Sequence, residues 1–136
     1  MFRSLLFYLI LFTPLPAAAA QGVLYDCTMT QLSRGGGWIS EKIGIALHEN
    51  GRVTVSDRII LRSSSVPIDA DRVRKTDRKL VVNWVLRDFK NSDSQTTSRF
   101  NFDATIRKDG KITVYARPSG YRNRFSGTGT CTTRKP

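Results

Sequence analysis

Between Val23 and Cys131 the apolar side chains recur at every second position, and a helical period is hard to find. Strict alternation puts one face of an extended chain against a core and the other against water, so it predicts half-buried β-strands. Val23, Tyr25, Cys27 and Met29 share one face of a first strand. Ile39, Ile43, Ile45 and Leu47 share a face of a second, with Glu41 in the same register, and Val53 and Val55 begin a third. Further on, Leu80, Val82, Trp84 and Leu86 form another such row, as do Phe100, Phe102, Ala104 and Ile106, and then Ile112, Val114 and Ala116. A last strand carries Tyr121, Asn123, Phe125, Gly127, Gly129 and Cys131 on one face.

The punctuation between these rows is that of hairpins. Asn50-Gly51 and Asp109-Gly110 each separate two alternating segments. Such pairs suit type I′ turns, whose two central residues both need positive φ. Ser33 to Gly37, Ser63-Ser64-Ser65 with Pro67, and Asn91 to Ser94 read as loops. Ile59-Ile60-Leu61 reads as an extension of the third strand or as a strand of its own, and Ala70 to Lys75 as a short polar strand that turns near Asp77-Arg78. The sum is an all-β fold: a small up-and-down antiparallel barrel of about eight strands, with a two-sheet sandwich as the alternative.

The start of the chain has a different character. Arg3 is followed by an apolar run from Leu5 to Phe12, then Pro14 and Pro16, then four alanines from Ala17 to Ala20. A positive start, a short apolar core and small residues before a cut are the parts of a secretory signal peptide. The run is far shorter than the roughly 20 residues that cross a bilayer, so cleavage rather than anchoring is expected. Residues 1–20 are then the signal and 21–136 one barrel domain without a transmembrane segment, in the periplasm or secreted. In such an oxidising compartment the two cysteines, Cys27 and Cys131, allow one intramolecular bridge. That bridge requires the first and last strands to be neighbours, which favours barrel closure.

Enzyme signatures are missing. His48 is the only histidine and stands at a hairpin end. No Gly-x-Ser-x-Gly elbow or phosphate-binding glycine loop occurs, and neither a metal site nor a cofactor is expected. Asp69 and Asp71 lie among basic residues, where charge balancing is the simpler role.

Charge is the one positive signal. The chain has 22 Lys and Arg against 11 Asp and Glu. The excess gathers in two segments, Arg72 to Lys79 and Arg107 to Pro136. Arg72, Arg74, Lys75, Lys111, Arg117, Arg122 and Arg124 are the candidate anion-binding residues, with Lys111, Tyr115, Arg117, Arg122 and Arg124 expected on one outward face of the last hairpin. A basic face of this kind attracts phosphate, lipid headgroups, acidic glycans or an acidic protein. Export makes nucleic acid a poor physiological partner, so an anionic envelope component is the better candidate. Tyr25, Trp84, Phe100, Phe102, Tyr121 and Phe125 fall on the expected inner face, as core or as the lining of a ligand space.

Gly36-Gly37-Trp38 contains a Gly-x-Trp that resembles the first-strand motif of lipocalins and avidins. The likeness covers three residues, and a strand with Cys27 precedes it. The aromatic inner face separately raises an alternative to the basic binding module, a lipocalin-like carrier of a small apolar molecule in the barrel interior. The plan of a signal peptide, a small β-barrel and one disulfide is also similar to bacterial periplasmic lysozyme inhibitors. Those oppose a basic enzyme, and a chain this basic would repel it. No residue role is carried over from either group. The expectation is an exported, non-enzymatic binding protein.

Overall fold

The computed structural model describes residues 22–33, 37–90, 94 and 96–135. Residues 1–20, read from the sequence as a signal peptide, and most of the loops at 34–36 and 91–93 lie outside them. Nine strands form one antiparallel sheet that curls into a half-barrel. They are β1 (Val23–Leu32), β2 (Lys42–Leu47), β3 (Val53–Asp57), β4 (Ile68–Asp69), β5 (Arg72–Lys75), β6 (Lys79–Lys90), β7 (Thr96–Arg107), β8 (Lys111–Pro118) and β9 (Phe125–Arg134). One helix, α1 (Arg58–Ser64), follows β3.

The strand order is β4-β3-β2-β1-β9-β8-β7-β6-β5. The sheet edges are therefore β4 and β5, which are consecutive in the chain. Ala70 N–H donates to the Val53 carbonyl on one edge, and Asp71 N–H donates to the Asn83 carbonyl on the other. A single crossing segment thus binds both edges. Counted as one interrupted strand, β4 and β5 bring the total to the eight expected. All the strands belong to one sheet, so the sandwich alternative is not what forms.

The Cys27–Cys131 disulfide is present, with 104 residues between its ends in sequence. The two cysteines face each other in the β1–β9 register. They staple the central strand pair, while the edges are bridged by the Ala70–Asp71 crossing.

The alternation is borne out in the core. Cys27, Ile45, Val55, Val82, Trp84, Phe100, Ala104, Val114 and Ala116 are fully buried, and the rows around them close into one apolar cluster. The Trp84 and Phe102 rings stack at 5.2 Å, with Phe100 tilted against Phe102 at 5.3 Å.

Three local expectations are corrected. Ile59-Ile60-Leu61 is helical. Asp57 caps α1 by accepting from Ile60 N–H at 2.7 Å, and Ser65, at φ 62°, ends it. Ile59 and Ile60 are both buried while Leu61 is exposed, a pattern that a two-residue period cannot produce. Both hairpins form, but only Gly51 and Gly110 have positive φ. A type I turn followed by one left-handed residue meets this need, where type I′ would require two. The last strand begins at Phe125, so Tyr121 stands 71 % exposed outside the barrel instead of on its inner face.

Candidate functional site

In an up-and-down sheet every second turn falls at the same end. The β5–β6 and β7–β8 turns are therefore neighbours, and each carries a basic pair: Arg78-Lys79 in one, Arg107-Lys108 in the other. Lys108 N–H donates to the Arg78 carbonyl at 3.0 Å, which ties the two turns together. Each turn is fixed internally as well. Thr76 N–H donates to the Lys79 carbonyl at 2.9 Å, and the Thr76 hydroxyl oxygen accepts from Lys79 N–H at 3.2 Å. Asp109 accepts from Lys111 N–H at 3.0 Å, and the Gly110 carbonyl accepts from Cys131 N–H at 2.7 Å beside the disulfide.

These turns form one wall of a cleft of about 230 Å³ at the mouth of the barrel, with Tyr25 and Cys131 across from them. Lys75, Arg78, Lys79, Arg107 and Lys108 line it against a single carboxylate, Asp77. Lys75 faces the mouth because it pairs with inward-pointing Leu80. Lys79 and Arg107 are directly opposed cross-strand partners. Like charges in that position destabilise a sheet by a few tenths of a kcal/mol or more. Among the described residues none of the five cations is in an ion pair, whereas Arg52 pairs with Asp69 and Arg134 with Asp26. A second depression of about 340 Å³, on the other side of the same turns, shares Arg78, Lys79, Arg107 and Lys108.

The sequence-predicted cations are distributed differently. Of the seven, Lys75 alone reaches this mouth. Arg72 and Arg74 lie exposed on the outside of β5, and Lys111 and Arg117 on the outside of β8. Between them run β6 and β7, which present Val81, Asn83, Asp103 and Thr105. Three strand spacings amount to about 14 Å, beyond the screening length of about 8–10 Å at ordinary salt. The two groups therefore do not act on one small anion. Arg122 and Arg124 are not strand residues as expected, though Arg124 does reach the outer face of β8. They sit in the connection before β9, where the Arg124 guanidinium lies 3.9 Å from the centre of the Tyr115 ring. The doublets at 78–79 and 107–108 were visible as charge in the sequence. Placing them required knowing which turns share an end.

The aromatic set divides three ways. Trp84, Phe100 and Phe102 are core. Tyr25 lines the basic mouth, and Phe125 and Tyr121 line a separate cleft at the opposite end together with Trp38. Trp38 precedes β2 in a loop, so the Gly-x-Trp likeness does not extend to a first-strand position. His48 is exposed in its turn, with Nε2 3.1 Å from the Thr54 hydroxyl. Asp69 pairs with Arg52 at 2.8 Å, and Asp71 accepts from Val85 N–H at 2.9 Å, so both carboxylates serve the strand edges.

The Asp57 carboxyl has a displaced proton affinity. Burial pushes it up, and the N–H groups of Ile60 and Ile59 partly hold it back. Among the described residues no group of three or more His, Cys, Asp or Glu is placed to hold a metal ion, and no helix is long and apolar enough to cross a membrane. No family model matches the chain, and neither curated proteins nor solved structures show a match to it.

Proposed function

We propose that this protein is an exported, non-enzymatic binding module whose basic mouth holds the phosphate groups of an anionic envelope component. The observation that carries the reading is the joining of two turns by one backbone hydrogen bond, which gathers five cations around one cleft containing a single carboxylate, with Lys79 and Arg107 on its outer rim. Uncompensated like charge held on a rigid backbone costs folding energy, and a bound anion offsets that cost. Phosphate suits the site because its several acceptor oxygens can engage lysine and arginine together. The disulfide and the signal-like start of the chain support an extracytoplasmic setting.

Two probes separate a lipid headgroup from a free polymer: sedimentation with phosphatidylglycerol vesicles, and retention of soluble inorganic polyphosphate. Binding to at least one of them should fall steeply as salt rises. The triple variant Lys79→Gln/Arg107→Gln/Lys108→Gln should lose most of it, and Arg72→Gln/Arg74→Gln should keep most of it. Equal losses in the two variants, or binding insensitive to salt, would refute the assignment to the mouth.

A further inference from the structure

The opposite end of the barrel carries a cleft of another chemistry. It has a volume of about 500 Å³, within the range of ligand sites, and no charged side chain among its described lining. Its walls combine aromatic rings with uncharged hydrogen-bonding groups. Trp38 is half-buried, stacked on the fully buried Phe100 at 4.6 Å and 19°, with Phe125 at 6.1 Å. The core thus fixes the indole from behind. Tyr121 stands on the other lip, next to Gly120, whose φ of 84° turns the chain outward.

Of the cleft's hydroxyls, that of Thr97 donates to the Arg99 carbonyl at 3.4 Å, while four other polar side chains are uncommitted. Among the described residues the side chains of Thr96, Ser98, Asn123 and Tyr121 make no hydrogen bond. A purely apolar ligand would desolvate them without compensation, at a cost for each group. An anion would find no cation among the described residues of the walls. A sugar ring meets both requirements, because it presents a face of C–H groups to an aromatic ring and a rim of hydroxyls to neutral donors and acceptors.

We propose that this cleft is a binding site for a neutral saccharide, with Trp38 and Tyr121 as its aromatic platforms and Ser98, Thr96 and Asn123 as its hydroxyl partners. The site is separate from the basic mouth and does not depend on the reading given to it.

The test is an NMR titration of the whole folded domain with chito-, cello- and malto-oligosaccharides at millimolar concentration. The two indoles report independently, since Trp38 lines the cleft and Trp84 is fully buried. At least one oligosaccharide should move the Trp38 indole signal and the Ser98 and Asn123 amides while leaving Trp84 in place. Tyr121→Ala should weaken that binding about tenfold, a loss typical of a removed ring contact. Because Tyr121 is so exposed, the variant should fold as the parent does. The mouth variant Lys79→Gln/Arg107→Gln/Lys108→Gln should bind the sugar unchanged. The proposal is overturned if none of the three oligosaccharides moves the Trp38 signal, or if Tyr121→Ala leaves the affinity intact. It is also overturned if a proline-rich peptide moves that signal where the sugars do not.

Discussion

Two glycines on the cysteine face of β9 differ sharply in what a single methyl group would cost. A Cβ on Gly129 would lie 2.0 Å from the Thr28 carbonyl oxygen and 2.7 Å from the Met29 Cα, both backbone atoms of β1. Reaching even a tight contact of 3.0 Å means that β1 retreats by about 1 Å. The displacement falls where the β1–β9 register already shifts, between Met29 and Gln31. Forced overpacking costs about 1–3 kcal/mol, and a lost ladder bond adds about 1. The reduced chain entropy of alanine returns about 0.5–1 kcal/mol. Gly129→Ala should therefore destabilise by about 2–3 kcal/mol. A Cβ on Gly127 instead meets the Leu32 Cδ2 at 2.9 Å, the end of a side chain that can rotate, so Gly127→Ala should cost less than about 1 kcal/mol. Urea denaturation followed by far-UV circular dichroism reads both values on one scale. Equal midpoints for the two variants would refute the close approach of β1 and β9 at Gly129.

Ile60→Ala should cost about 2–5 kcal/mol and Leu61→Ala under about 1, by the same denaturation, because α1 buries the first and exposes the second. The reverse order would restore a strand at this position. The double variant Cys27→Ala/Cys131→Ala should lose up to about 4–5 kcal/mol, the chain-entropy value for a loop of this length, while keeping its β spectrum. An unchanged midpoint would contradict that. Asp57 has a raised folded pKa, so its favourable share of stability is complete below the ordinary 3.8 and declines as pH rises through the folded value. Asp57→Asn, which keeps an oxygen for the cap, should remove that decline; stability–pH profiles of the two proteins that stay parallel above 3.8 would contradict it.

The inward rows were legible because alternation along a strand is the direct consequence of burying one face. Trp84, Phe100 and Phe102 needed nothing more to be placed in the core. Ile59-Ile60-Leu61 was illegible because three adjacent apolar residues carry no period. Tyr121 was misplaced by extending the β9 register backward past Phe125, where the strand in fact begins. The basic site was half legible. The doublets Arg78-Lys79 and Arg107-Lys108 stood out as charge, yet reasoning from strand faces alone favoured Arg72, Arg117 and Arg122, since turns have no face. The long pairing of β6 with β7, extending to Lys90 and Thr96, is what carries Thr96 and Ser98 up to the aromatic cleft.

The most direct test of the basic mouth is a map of amide shifts when isotope-labelled protein is titrated with inorganic tripolyphosphate. The account predicts shifts concentrated at Lys75 to Lys79 and Arg107 to Gly110, collapsing as salt is raised. Shifts centred on Arg72, Arg74 and Arg117 across the outer sheet, or no localised shifts at low salt, would contradict it.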